Sequence, residues 1–376
     1  MRVLLVNYEL PPIGAGAGNA TAQIARHLAT LGDEVQVLTS RYDSLPPREV
    51  RDGYRVWRVP AIRRRPERCS PAEMLTFVLG GLAPTLGLAR TWRPQAACAF
   101  FGLPSGPLTL ALERVFGVPY LVSLRGGDVP GFLSADLARF HELTRSMIVT
   151  IWRHSRGLIA NSAGLADLAR RAWPAAPIHV IPNGVDVDSI GPPTERREKP
   201  ATPLRVLCVG RLVRQKAFHL ALDALSLTAV PSVLRIIGDG PLRASLVARA
   251  AVLGTRVEFT GWVDRAELPR HYEWADVLCL PSFEEGMPNV VLEAMAAGLP
   301  TIASDVYGVR DLVQPGQTGF LVPPASATCI ARALEHLAAE PDLVRQMGAR
   351  ARAVACCHAW SAIAAEYRRL LLTAVR

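Results

Sequence analysis

Two glutamates, Glu285 and Glu293, stand with seven residues between them in PSFEEGMPNVVLEAMAAGLP, the stretch Pro281 to Pro300 where a polar turn runs into an apolar helix. Gly286 and Pro288 loosen and reset the backbone, and Asn289 suits an N-cap, so the helix is expected to start near Val290 with its amides pointing outward. Such an end attracts anions. Glu293 then lies about one turn inside the helix and Glu285 in the loop before it, so the two carboxylates can reach opposite ends of one bound molecule. A phosphate between two sugars suits that geometry. Upstream, VGRLVRQK (Val209 to Lys216) places Arg211 and Lys216 just past a strand. A fork donor and a point cation there would neutralise a diphosphate, and two solvated surface charges are the alternative.

These residues must be positioned by a scaffold, and the chain spells one out. Arg2 to Asn7 reads as a strand, Glu9 to Ala20 as a loop with Gly14, Gly16 and Gly18, Thr21 to Leu31 as a helix, and Glu34 to Thr39 as a strand. That order predicts a parallel sheet with ligands at the carboxyl ends of its strands. The glycines do not complete a dinucleotide fingerprint, because Asn19 stands where the third glycine belongs. Further strands are expected at Arg55 to Val59, Ala96 to Phe101, Tyr120 to Leu124, Gly157 to Ala160 and His179 to Ile181. A second alternation brings strands at Arg205 to Val209, Val233 to Ile237, Val257 to Thr260, Val277 to Leu280 and Thr301 to Ala303, with helices between. The class is therefore α/β, with two doubly wound, Rossmann-like domains. Their bounds are expected at 1–190 and 204–355, with a proline-rich, charged linker over 191–203 and a last helix, about 356–376, crossing back to the first domain.

At 376 residues the chain exceeds one comfortable core. Its net charge of +9 is carried by scattered arginines, with clusters at Arg63 to Arg65 and Arg196 to Lys199. An anionic membrane or acidic substrates fit that balance, and nucleic acid does not, since no aromatic-interleaved basic motif accompanies the clusters. Seven cysteines without paired ligand spacing read as free thiols of a reducing cytosol, and the first residues as a buried strand rather than a signal peptide. Met74 to Ala89, interrupted by Pro84, reads either as a core-facing helix pair or as a monotopic membrane contact flanked by Arg63, Arg64, Arg65, Arg90 and Arg93. Three smaller motifs have two readings each. The turn in IIGDGPLR, from Gly238, either reads a base through its amides or simply joins strand to helix; Trp262 in TGWV either flanks a base or packs; Asp186-Val187-Asp188 mimics a metal-binding pair but sits where an N-cap is needed.

The ordered run GRLVRQK, IIGDGPL, FTGWV, LPSFEEGMPNVVLEAMAAGLPTIAS and QTGFLVPP, with PPIGAGAGNATAQIARHL, LIANSAGLADL and IPNGVD before it, resembles the retaining glycosyltransferases of family four. The resemblance implies the GT-B fold, with the active site in the cleft between its two domains. It implies transfer of a sugar from a nucleotide-diphosphate-sugar to a hydroxyl acceptor, on a glycan or lipid-linked molecule, with no metal and no cofactor beyond that co-substrate. Arg211 and Lys216 would hold the donor diphosphate, Glu293 the ribose hydroxyls and Glu285 the transferred sugar, which makes Glu285, Arg211 and Lys216 the catalytic set. Gly14 and Gly16 would approach the diphosphate from the first domain, while Gly238, Val263, Gly286, Asn289 and Val290 would complete the donor site. Two departures stand out. Ala217 follows Lys216 where the family has glycine, which is tolerable if its φ is negative. Arg125 stands in LVSLRGGDV where many members have histidine. Arginine stays protonated and cannot be a general base, though it can hold a phosphate or carboxylate. Asp128 beside it either orients an acceptor or caps a turn. A non-catalytic nucleotide-sugar-binding protein and a nucleotide-sugar epimerase are the alternatives.

Overall fold

The computed structural model describes residues 1–376 apart from 15, 67, 68, 133, 192–202 and 255, so the expected linker lies almost wholly outside the described residues, as does the Arg196 to Lys199 cluster. The chain forms two compact units, Met1–Asn183 with Trp360–Arg376, and Gly184–Ala359.

The first unit holds strands β1 (Arg2–Val6), β2 (Glu34–Ser40), β3 (Arg48–Arg51), β4 (Tyr54–Val59), β5 (Ala96–Phe100), β6 (Tyr120–Leu124), β7 (Leu158–Ala160) and β8 (Ile178–Val180). They form one sheet in the order β3-β4-β2-β1-β5-β6-β7-β8, parallel except for the β3–β4 hairpin. Central strands such as β5 are buried along their whole length, which is why they read as apolar runs without alternation. Strand β3 is not among the expected strands, although Asp52-Gly53, both at positive φ, is a hairpin signal. The first helix, Gly16–Thr30, begins four residues before the expected end of the glycine loop, so Gly16 and Gly18 belong to its first turn. The last helix, Trp360–Val375, belongs to this unit: Ile363, Tyr367, Leu370 and Leu371 share a core with Ile24 and Leu28, and Tyr367 stacks on Phe100 with ring planes 2° apart.

Residues 184–190, expected with the first domain, belong to the second unit. Val187 and Ile190 pack into its core, and Val185 donates its amide to the His358 carbonyl. Asp186 is the N-cap of the short helix Val187–Ile190, accepting from the Ser189 amide at 3.1 Å, so the D-x-D look-alike does a cap's work. Met74 to Ala89 is likewise not a helix pair. It lies within one helix, Pro71–Trp92, that runs through Pro84. The proline forfeits one backbone bond, but packing of Gly81 against Leu108 and a Thr85 to Gly81 carbonyl bond at 2.6 Å hold the flanking turns.

The second unit holds β9 (Leu204–Val209), β10 (Ser232–Ile237), β11 (Val257–Gly261), β12 (Val277–Leu280), β13 (Thr301–Ser304) and β14 (Gly319–Val322), all parallel in the order β11-β10-β9-β12-β13-β14. The order reverses beside β9, whose neighbours are β10 and β12. Ligands of open α/β sheets bind at such a switch point, and VGRLVRQK and PSFEEGMP are the segments that leave β9 and β12 there.

One departure from the family pattern turns out differently from expectation. Ala217 ends the short 3-10 turn Arg214–Lys216 with φ +48 and ψ 34, a left-handed conformation, and its methyl is fully buried. The left-handed state costs an L-residue roughly 1–2 kcal/mol. The buried methyl returns about 0.8 kcal/mol and the stiffer unfolded chain about 0.4–1 kcal/mol. These terms nearly cancel, so Ala217→Gly is expected to leave stability within about 1 kcal/mol of the parent by urea unfolding. Ala217→Val, branched and overpacked at positive φ, is expected to cost at least about 2 kcal/mol. A valine variant as stable as the parent would contradict the backbone geometry.

Candidate active site

At the switch point of the second unit, the 3-10 turn after β9 and the loop after β12 are zipped together by Gln215. Its carbonyl accepts from the Phe283 amide at 2.8 Å and its side-chain Nε2 donates to the Glu284 carbonyl at 2.7 Å. That zipper brings Lys216 Nζ to 2.6 Å from Glu285 Oε1. Ser282, fully buried, donates its hydroxyl to the same oxygen at 2.6 Å. Both donors fall on Oε1, which leaves Oε2 for a ligand. Both partners of the ion pair are mostly shielded, at 15% and 7% side-chain exposure, so the charges are held in a poorly screened place. The Lys216 stem runs past Gly210, where an added Cβ would stand 3.3 Å from Cε. Arg211 is exposed and makes no ion pair among the described residues.

The helix Asn289–Ala296 begins one residue earlier than expected. Pro288 is its N-cap and has no side-chain oxygen to offer, so Asn289 is the first helical residue rather than the cap. Val290 beside it is half-buried and Gly286 is buried. Glu293, one turn in, accepts from the Tyr272 hydroxyl at 2.8 Å and lies 3.4 Å from Arg265 Nη2. Burial pushes its carboxyl above the usual range, against the opposing pull of Arg265 and Tyr272.

Gly238 is needed for close packing. At φ +127, an added Cβ would fall 2.0 Å from the Gly210 carbonyl oxygen, and its amide already donates to Gly261 at 2.7 Å. That amide is therefore spent within the fold and does not face a base. Val263 packs partly into the core, whereas Trp262 is 73% exposed, so packing does not account for the indole.

In the first unit, the Gly14 amide donates to the Pro66 carbonyl at 2.8 Å, and an added Cβ at Gly14 would meet Glu9 at 2.6 Å. Gly14 is thus required by Glu9 and its amide is engaged; Gly16 is the first residue of its helix. Asp128 is buried and both of its oxygens serve backbone amides, Gly102 at 2.7 Å and Arg125 at 2.9 Å. It organises the turn after β6. Arg125 reaches the Asn183 side chain at 2.7 Å and the Tyr367 hydroxyl at 3.0 Å, over the Phe100 ring. The structure thus brings together Lys216, Glu285 and their support in the second unit, and ties Arg125 to the last helix in the first. Gln215, Ser282, Tyr272 and Arg265 were not singled out in the sequence. Ser282 and Gln215 adjoin the motif residues, but their role depends on contacts between the two loops that no local pattern encodes.

Two family models match the chain, Glycosyl transferase 4-like domain over residues 15–184 and Glycosyl transferases group 1 over residues 203–340. The chain is 30% identical over 403 aligned residues to a protein named glycogen synthase from Mycobacterium tuberculosis, covering 100% of this chain and 95% of that one. It is 30% identical over 381 residues to a GDP-mannose-dependent alpha-mannosyltransferase of Mycolicibacterium smegmatis, covering 97% and 96%. Among solved structures, sucrose-phosphate synthase from Thermosynechococcus elongatus matches with a TM-score of 0.85 at 25% identity, over 99% of this chain and 100% of that one. With two doubly wound sheets of the GT-B class, the first parallel but for one edge hairpin and the second wholly parallel, and these relatives along its whole length, the chain belongs to the glycosyl transferases group 1 family.

Proposed function

We propose that the protein transfers a sugar from a nucleotide-diphosphate-sugar to a hydroxyl acceptor with retention at the anomeric carbon and without a metal ion. The observation that carries this reading is the Lys216–Glu285 pair at the switch point of the second sheet, with Arg211, which leaves the same strand as Lys216 and makes no ion pair among the described residues. Lys216 and Arg211 stabilise the charge that develops on the leaving diphosphate, which is catalysis by preorganised electrostatics. Glu285, with Oε1 held by Lys216 and Ser282, presents Oε2 to the transferred sugar. Glu293 takes the ribose hydroxyls, and the N-terminal turn of helix Asn289–Ala296, whose N-cap Pro288 offers no side-chain oxygen, adds donors for phosphate oxygens. As the bond from the anomeric carbon to the diphosphate breaks, the acceptor oxygen bonds on the same face and its proton passes to the leaving phosphate oxygen. No separate general base is then required, consistent with an arginine, Arg125, standing where many family members have histidine.

The acceptor reading is a glycan or lipid-linked hydroxyl presented at an anionic membrane, in polysaccharide or glycolipid synthesis. Helix Pro71–Trp92 is long and apolar enough to cross a bilayer by length and composition, yet only 28% of its most apolar window is buried. Leu75 and Leu79 stand 57% and 67% exposed, and the exposed Arg64 donates its amide to Glu73 in the first turn of the same helix at 2.8 Å. Arg63, by contrast, is spent on the Tyr8, Arg65 and Pro66 carbonyls. An apolar ridge with cations at its ends fits a monotopic contact.

Thermal-shift titration with UDP, GDP and their common sugars identifies the donor, because a ligand of the native state raises Tm. With that donor, Lys216→Ala and Glu285→Ala are each expected to lower turnover at least ~100-fold. Near-normal turnover in both sinks these assignments. The product anomer, read by NMR, is expected to match the donor, and activity is expected to survive a chelator; inversion or metal dependence overturns the corresponding part of the mechanism. In vesicle sedimentation, the chain is expected to bind phosphatidylglycerol over phosphatidylcholine. The pair Leu75→Glu with Leu79→Glu is expected to weaken that binding at least about tenfold, since each leucine loses apolar burial and gains a like charge to the surface. Equal binding to both lipids speaks against the membrane reading.

A further inference from the structure

Glu293 is held by two neighbours of opposite accessibility. Tyr272, in helix Leu268–Trp274, is 1% exposed and donates to Oε2 at 2.8 Å. Arg265, in the turn after β11, has a side chain 52% exposed and stands at 3.4 Å from Oε1, long for a hydrogen bond. The Glu293 side chain itself is 10% exposed. A carboxylate so short of water needs donors, and the two it has differ in how they can be replaced. Removing the tyrosine hydroxyl leaves Oε2 facing an interior that water does not reach. Arg265 can swing into solvent and be rehydrated, because its own side chain is already half exposed and its 3.4 Å contact is long.

We infer that Tyr272 is a fixed anchor that turns Oε1 of Glu293 toward solvent, and that Arg265 is a displaceable cap on that oxygen. Together they set how strongly the second unit selects a ribonucleoside over a 2′-deoxyribonucleoside diphosphate. The inference rests on the reading of Glu293 as the ribose contact. A ribose hydroxyl and the Arg265 guanidinium compete for one oxygen, so the cap lowers ribose affinity and the anchor raises it. Both are positioning residues, and they act in opposite directions. A site built to bond a hydroxyl rejects the analogue that lacks it, because its own polar group is left unpaired.

The test is calorimetric titration of the full chain with UDP, GDP and ADP, then with the 2′-deoxy form of whichever binds most tightly. The readout is the ratio of the deoxy Kd to the ribo Kd, from which general attraction of the diphosphate cancels. The parent ratio is expected to be at least about 10, as for a hydrogen bond to a charged group. Tyr272→Phe, which keeps the buried ring, is expected to lower the ratio at least about threefold, and Arg265→Ala to raise it about threefold. Arg270→Ala, which removes another exposed arginine of the same segment, is expected to leave it unchanged. A parent that discriminates while either Tyr272→Phe or Arg265→Ala keeps the parent ratio, or while Arg270→Ala shifts it as Arg265→Ala does, overturns the inference and leaves the ribose reading of Glu293 intact. A parent ratio near 1 overturns that reading and the inference with it. Failure of all three diphosphates to bind removes the proposed donor site altogether.

Discussion

A charged pair withdrawn from water must be held by more than its own attraction, because desolvation offsets much of the Coulomb gain. The Lys216–Glu285 contact meets that condition through its surroundings. Ser282 adds a second donor to the same carboxylate oxygen, Gln215 locks the two loops that carry the charges, and Gly210 leaves room for the lysine stem. The loops themselves meet because β9 and β12 are neighbours in the sheet although distant in sequence. The parallel order of the second sheet is thus what allows a cation and a carboxylate 69 positions apart to share one place.

The same logic explains the glycines. Gly238 and Gly210 lie where two strand-exit turns press backbone to backbone, and Gly14 where the Glu9 side chain folds over the chain. Gly14 is expected to approach a diphosphate and the turn from Gly238 either to read a base or to join strand to helix, but the amides of both glycines are already bonded within the fold. Absence of a side chain at these positions serves packing, and it shapes a ligand site only indirectly. Ala217 shows the converse, a residue whose left-handed conformation has a cost that the burial of its methyl largely offsets.

In the first unit the arginine at the end of β6 is drawn into the fold. Arg125 joins the side chain of Asn183, the last residue before the chain leaves the unit, to Tyr367 on the helix that follows its return. Asp128 is occupied with the turn beneath it. Burial raises its carboxyl, but the two backbone amides favour the ionised form and oppose that rise. Asp128 thus does the turn-capping work that was one of its two readings, whereas the tie of Arg125 to Asn183 and Tyr367 is a task that its sequence neighbourhood, a glycine turn after an apolar strand, did not disclose.

What the sequence determined by itself was local and periodic. Apolar runs bounded by turns located twelve of the fourteen strands among the described residues to within a residue or two, and central strands such as β5, buried along their whole length, can be built from little else. The motif residues Arg211, Lys216, Glu285 and Glu293 were legible because their types and spacing are tied to strand ends and a helix start. The two strands not expected, β3 and β14, have four residues each and sit at sheet edges. The tertiary structure alone decided the partners: which oxygen of Glu285 is occupied, that Tyr272 and Arg265 share Glu293, that helix Pro71–Trp92 stays unbroken at Pro84, and that residues 184–190 join the second unit. Each of those depends on contacts between segments far apart in the chain, and such contacts are set by the packing of sheets and helices against one another rather than by any residue's neighbours in sequence.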